Sequence, residues 1–164
     1  MASDIFIHYL TTTGLEKSVK LRSDETVINL DLRDMVSVDL LPLIWCENLE
    51  ALYLRNNVLS DIDLTPLEKC GKNLKVINLC HNRIQEIDME ALGSCPNLLE
   101  VKLNDNRLKR IDLSPLFQCA NLAELGLDEE VSLTADLLLR SVGSWPEVLV
   151  ERYHRILWKS DSIH

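Results

Sequence analysis

Leu74-Lys75-Val76-Ile77-Asn78-Leu79-Cys80-His81-Asn82-Arg83-Ile84 decides how this chain folds, because the same spacing returns on either side of it. Leu49-Glu50-Ala51-Leu52-Tyr53-Leu54-Arg55-Asn56-Asn57-Val58-Leu59 precedes it, and Leu98-Leu99-Glu100-Val101-Lys102-Leu103-Asn104-Asp105-Asn106-Arg107-Leu108 follows it. All three read LxxLxLxxNxL with a period of about 24 residues, the span of one supersecondary unit in a repeat array. The second halves repeat as well: Ile62-Asp63-Leu64-Thr65-Pro66-Leu67, Ile87-Asp88-Met89-Glu90-Ala91-Leu92 and Ile111-Asp112-Leu113-Ser114-Pro115-Leu116. A unit of this size cannot bury its apolar face alone, so its copies must stack. Of the 164 residues, 32 are Leu, a usage that calls for an architecture burying Leu in the same way again and again.

Within each unit the LxL alternation has the period of two expected of a short strand, with the Leu side chains inward and the residues between them outward. The Asn that follows marks the exit from the strand, where a side-chain amide can donate to and accept from backbone that would otherwise be buried unpaired. Asn57, Asn82 and Asn106 are therefore expected to be structural. Thr65-Pro66 and Ser114-Pro115 read as an N-cap followed by a first-turn proline, opening a helical turn on the opposite face. Two weaker copies flank the three clear ones. Val27 to Leu32 with Val38 to Leu43 is read as a first unit about two residues short, with Met35 in place of the ladder Asn. Leu122 to Leu127 begins a last unit, with Glu130 at the ladder position.

The pattern resembles the leucine-rich repeat family, of the intracellular type with repeats of about 24 residues. The expected fold is an α/β solenoid with about five short parallel strands on its concave face, short helical turns outside and a cap at each end. Residues 1–25 form the N-terminal cap in this division, 26–132 the repeats and 133–164 a helical C-terminal cap. Helix and strand both fit Ile5 to Leu10, and Lys17 to Leu21 can supply an edge strand. At the other end, Thr134 to Val142 has helical character. Beyond it Leu149, Tyr153, Ile156 and Leu157 fall on one stripe of a helix over Pro146 to Trp158.

Composition bounds the partners. A net charge of −9 argues against a phosphate-binding surface, which is a basic patch that releases counterions. The first residues lack a basic leader and a long apolar core, and no apolar run approaches the roughly 20 residues of a spanning helix. An odd cysteine count and no cysteine-rich caps favour a reducing compartment, so a cytoplasmic location is expected. Cys46, Cys70, Cys95 and Cys119 recur once per unit, as small apolar groups stacked in the core rather than ligands converging on a zinc tetrahedron. Asp39, Asp63, Asp88 and Asp112 form a second column, expected to bond loop N–H groups, because one carboxylate per unit is far short of the six to eight oxygens of calcium. Neither column calls for a cofactor or metal, and no spacing typical of a catalytic loop occurs.

What remains is the outward face of the strands. Arg33, Tyr53 and Arg55 gather toward the first units, types enriched at interface centres, whereas Glu100, Asp105, Glu124, Asp128 and Glu129 make the far end acidic. Arg33, Tyr53, Arg55, Asn78, His81, Lys102 and Asn104 are the expected partner-binding residues. By the family resemblance the chain is expected to be a monomeric, non-catalytic module that binds another protein on its concave face, with no nucleic acid and no membrane as partner. Regulation of a partner enzyme, such as a GTPase or phosphatase, and capture of basic proteins are the alternatives.

Overall fold

The computed structural model describes residues 1–160. In chain order its strands are β1 (Asp4–Thr11), β2 (Glu16–Arg22), β3 (Val27–Asn29), β4 (Met35–Val38), β5 (Ala51–Tyr53), β6 (Val76–Asn78), β7 (Glu100–Lys102), β8 (Arg110–Asp112), β9 (Glu124–Gly126), β10 (Ser132–Asp136) and β11 (Ile156–Lys159). Strands β3, β5, β6, β7 and β9 form one parallel sheet in that order. Ile28, Leu52, Ile77, Val101 and Leu125 stand side by side across it. This is the concave sheet of the expected solenoid.

The core is a set of columns running along the array, each occupied by the equivalent residue of successive units. Leu30, Leu54, Leu79 and Leu103 form one, and Leu43, Leu67, Leu92 and Leu116 another, all at most 1% exposed. Each buried Leu contributes roughly 1.5–3 kcal/mol, so truncating one column member to Ala costs about 2–5 kcal/mol once the cavity is counted. Cys46, Cys70, Cys95 and Cys119 fill a column of their own, buried and unbridged. The Cys119 thiol lies 3.2 Å from the Leu92 carbonyl oxygen. Burial pushes the thiols up to about 11 at Cys46, Cys70 and Cys119, and to about 12 at Cys95.

The asparagine ladder has the expected geometry. Asn82 Nδ2 donates to the carbonyls of Leu54 (2.9 Å) and Leu79 (3.1 Å), and its Oδ1 accepts from the Leu59 amide at 3.1 Å. Asn57 and Asn106 repeat this one unit earlier and later. The residue just before each ladder position sits in the left-handed region, with φ between 57° and 60° at Leu32, Asn56, His81 and Asp105. Asn, His and Asp tolerate that region better than other side chains do. Leu32 is the misfit.

On the convex side, the aspartates rather than Thr65 or Ser114 open the helical turns. Asp39, Asp63, Asp88 and Asp112 each accept the amide two residues on, at 2.9–3.0 Å. Asp136 does the same for Leu138 and adds a fifth copy. Pro42 and Pro115 fall in the first positions of their 3-10 turns, Leu41–Trp45 and Ser114–Gln118.

The ends depart from the sequence reading in three places. The first unit is not short, because its register slides by two. The Leu30 amide donates to the Tyr53 carbonyl (2.7 Å) and the Leu32 amide to that of Arg55 (3.1 Å), which aligns Ile28 with Leu52 and leaves Leu32 77% exposed. Both Ile28/Leu30 and Leu30/Leu32 satisfy LxL, and only the hydrogen bonds from the next unit choose between them. Asn57 Oδ1 then accepts the Met35 amide at 3.1 Å, as Asn82 Oδ1 accepts that of Leu59, so Arg33 and not Met35 occupies the ladder position. The shortening lies in the last unit instead. Gly126 pairs with Lys102, 24 residues back, but Ser132 with Arg110, only 22 back. There the Asp128 carboxylate, not Glu130, accepts the amides of Asp105 (3.0 Å) and Asn106 (3.4 Å).

The third departure is the C-terminal cap, which is not a helix over Pro146 to Trp158. Only α2 (Glu147–Val150) is helical in the α sense, the earlier α1 (Leu67–Cys70) being equally short. Residues Ile156–Lys159 form a strand parallel to β10, which itself pairs with β8 in a second sheet on the back of the array. Thr134 to Asp136 likewise belongs to β10, and Leu137–Ser141 is a 3-10 turn. Ile156 and Leu157 satisfy strand alternation as well as a helical stripe, and the free edge of β10 decides the matter by supplying hydrogen bonds. Phe117 meets Trp145 and Trp158 edgewise, Tyr153 stacks on Trp145, and Trp158 lies tilted against Trp145, with centroids 5.1–6.1 Å apart. Arg152 closes the last concave strand by donating from Nη2 to the Leu125 carbonyl at 2.8 Å. Residues 161–164 of the expected cap lie outside the described residues. At the front, β1 and β2 make an antiparallel hairpin and β1 also pairs with β4. Strand therefore wins at Ile5 to Leu10, with Ile5, Ile7, Tyr9 and Thr11 facing the core and Asp4, Phe6 and His8 outward.

Candidate functional site: the concave face

The strand register sets the outward residues in rows. Asn29, Tyr53, Asn78, Lys102 and Gly126 form one, flanked by Val27, Ala51, Val76, Glu100 and Glu124. Continuing each strand by two residues gives the row Asp31, Arg55, Cys80, Asn104 and Asp128. Parallel neighbours about 4.8 Å apart bring equivalent side chains into contact, and several are bonded to one another rather than free.

The centre of the first units is a fixed aromatic and guanidinium pair. The Arg55 guanidinium lies 5.4 Å from the Tyr53 ring centroid. Its Nε and Nη2 donate to Asp31 Oδ2 at 3.0 and 2.7 Å, while Asp31 Oδ1 accepts the Arg55 amide at 2.7 Å. The hydrogen bond to Asp31 raises the Arg55 pKa above its already high value. The Asp31 side chain is 10% exposed and that of Arg55 43%, so a nearly covered carboxylate holds a cation that still faces solvent. Such forked bonding fixes the guanidinium plane.

The other expected residues fall in different places. Arg33 is not on this face beside Arg55. At its ladder position its amide donates to Asn57 Oδ1 at 2.9 Å, and its Nε is buried with no partner among the described residues. Asn78 is 8% exposed, with its Oδ1 taken by the Cys80 amide at 3.0 Å, which makes it a turn-former. His81 lies at the strand-exit rim in the left-handed column, 3.3 Å from the Asp105 carboxylate. Lys102 remains on the face and reaches Glu124 at 3.3 Å, a contact that raises its pKa. The Asn104 side chain covers Gly126, and a Cβ there would collide with its Oδ1. Tyr53, Arg55, Lys102 and Asn104 are thus brought together on the sheet, with His81 at its rim.

Asp31, the anchor of Arg55, and Leu32, exposed at the rim, are residues of the face that the sequence analysis did not single out. The available signal was the column Asn56, His81, Asp105, whose residue types favour the left-handed region and whose first member is Leu32. Glu100 forms no ion pair among the described residues, so the far end of the face is acidic. Cys80 is half-buried and burial raises its thiol pKa, which opposes the thiolate a nucleophile needs. Among the described residues no three His, Cys, Asp or Glu side chains converge to hold a metal ion, and no helix is long and apolar enough to cross a membrane.

At the level of fold, a known structure agrees with this geometry. The receptor kinase SOBIR1 of Arabidopsis thaliana has an LRR ectodomain that matches 99% of this chain and 77% of its own, at 20% identity and a TM-score of 0.57. Internalin C2 of Listeria monocytogenes matches at 25% identity and a TM-score of 0.46, over 65% of this chain and 50% of its own. Another Listeria monocytogenes internalin, inlF, matches at 20% and 0.49, over 73% and 44%. The chain spans half or less of either internalin. No curated protein matches its sequence significantly. Two family models described as leucine rich repeat match residues 48–70 and 72–130, together half of the chain, and with the stacked units and asparagine ladder they place this protein in the leucine-rich repeat family.

Proposed function

We propose that the protein is a non-catalytic module that binds another protein across its concave face, with Tyr53 and Arg55 at the centre of the contact. Leucine-rich repeat domains as a family mediate protein–protein interaction, which supports the class of function. The observation that carries the location is the Tyr53–Arg55–Asp31 arrangement. An aromatic ring and a guanidinium already held in one geometry lose little rotamer freedom on binding, and these residue types dominate interface energetics. Lys102, Asn104 and His81 extend the contact toward the acidic end. That acidity favours, as a second reading, a basic surface on the partner, whereas regulation of a partner enzyme adds a consequence of binding rather than a different site. The reading carries with it a monomer, a cytoplasmic setting and the three-part division at residues 25 and 132.

The test is a crosslinking capture from native extract, followed by titration of the identified partner. Tyr53→Ala weakens binding by about 2 kcal/mol, roughly 30-fold, while Glu90→Ala on the convex turn changes little. Undiminished affinity of Tyr53→Ala, together with loss of binding on convex substitution, overturns the concave reading. Attraction to a basic partner shows as affinity falling steeply with salt.

A further inference from the structure

From the back of the array we infer a second docking surface, for an acidic, extended segment of a partner protein. Between the Glu86–Ile87 segment and the outer face of the sheet β8–β10–β11 lie two adjoining depressions of about 690 and 830 Å³ that share Glu86, Arg110, Thr134 and Lys159. The larger is lined by Arg107, Lys109, Arg110 and Lys159. Among the described residues none of these four cations forms an ion pair, unlike Arg55 and Lys102 on the concave face. The carboxylates divide between the two depressions: Asp112 and Asp136, each accepting a backbone amide at 2.9 Å, line the smaller one, and Glu86 is the one carboxylate lining the larger. In a chain of net charge −9, four cations against the single carboxylate of Glu86 around the larger depression are a local reversal of sign, and a groove with an excess of one sign attracts the other.

The apolar content of the groove selects the kind of anion. Leu157 is 60% exposed and lines the same depression, and Thr134, 6% exposed, forms its floor with the hydroxyl turned to the Ile111 carbonyl. A segment carrying Glu or Asp beside an aliphatic side chain meets both the cations and Leu157. A phosphate-rich polymer meets the same cations but brings no aliphatic side chain to Leu157. Strand β8 is the edge of its sheet on the Glu86 side, which suits an extended occupant. This surface is independent of the concave reading and survives its failure.

The probe is a fluorescein-labelled dodecapeptide of Glu and Asp with one central Leu, followed by fluorescence anisotropy at low salt. Saturable binding in the micromolar range is expected. The K109E/R110E pair weakens it by about tenfold or more, Tyr53→Ala leaves it unchanged, and physiological salt reduces it as the Debye length contracts to about 8 Å. Replacing the central Leu of the peptide by Ser weakens it further. If the charge reversal does not fold, as judged by circular dichroism, K109Q/R110Q carries the same test. Absence of saturable binding, equal affinity of the charge variants, or tighter binding of oligothymidylate or of phosphatidylserine vesicles than of the peptide overturns the inference.

Discussion

Replacing Asn82 by Ala tests the ladder, and the hydrogen bonds set the size of the effect. Asn82 is 7% exposed and serves three backbone groups at 2.9–3.1 Å, with the Cys80 carbonyl a fourth, long partner at 3.5 Å that also accepts the Asn56 amide. Two of them keep a partner when it is lost: the Leu54 carbonyl still accepts from Asn57 Nδ2 at 3.1 Å, and the Leu79 carbonyl from Asn106 Nδ2 at 3.0 Å. Only the Leu59 amide is orphaned, costing about 1–3 kcal/mol, and the two thinned carbonyls add about 0.5–1 kcal/mol. The expected loss is therefore about 1.5–4 kcal/mol. Asn57→Ala is expected to cost about 1 kcal/mol more, because Asn57 Oδ1 serves two amides, Arg33 at 2.9 Å and Met35 at 3.1 Å. Urea unfolding followed by circular dichroism reads both, with the slope of free energy against denaturant held constant. A wild-type midpoint for Asn82→Ala, or a milder effect at Asn57 than at Asn82, would refute the reasoning.

Leu32→Asn is expected to stabilise the protein by about 0.5–1 kcal/mol, since an exposed Leu gives up little burial and Asn tolerates the left-handed backbone; a lower urea midpoint would count against the register of the first unit. Truncation to residues 1–145 removes Arg152, Tyr153, β11 and Trp158 and exposes the flank of the last unit, so it is expected to abolish cooperative unfolding. A monomeric fragment with a sharp transition would contradict that. Thiol labelling at pH 8 is expected to modify Cys80 alone in the native protein. The other four sit in the core with their pKa values raised to about 11–12 and react only on unfolding. Their thiolate fraction grows as pH climbs toward those values, so rapid labelling of more than one thiol at pH 8 would argue against the buried column.

The repeat was legible in the sequence because every internal unit is constrained twice, by the unit before it and the unit after. Leu79 must match Leu54 and Leu103, and Asn82 must reach backbone of its own unit and of the one before, so spacing alone exposes strand, core column and ladder. The end units lack one neighbour, and there the sequence admits more than one solution. Two registers of Val27 to Leu32 bury equally spaced aliphatics, and the hydrogen bonds that Leu30 and Leu32 donate to the Tyr53 and Arg55 carbonyls select the one that leaves Leu32 outside. Ile156 to Trp158 satisfies helix and strand alike, and the unpaired edge of β10 selects strand. The site divides in the same way. That Tyr53 and Arg55 face outward follows from alternation along one strand. That Asp31 locks Arg55, that Arg33 leaves the face, and that Lys159 joins Arg107, Lys109 and Arg110 behind the array depend on pairings between residues a full repeat or more apart, which only the stacking of the units brings within reach.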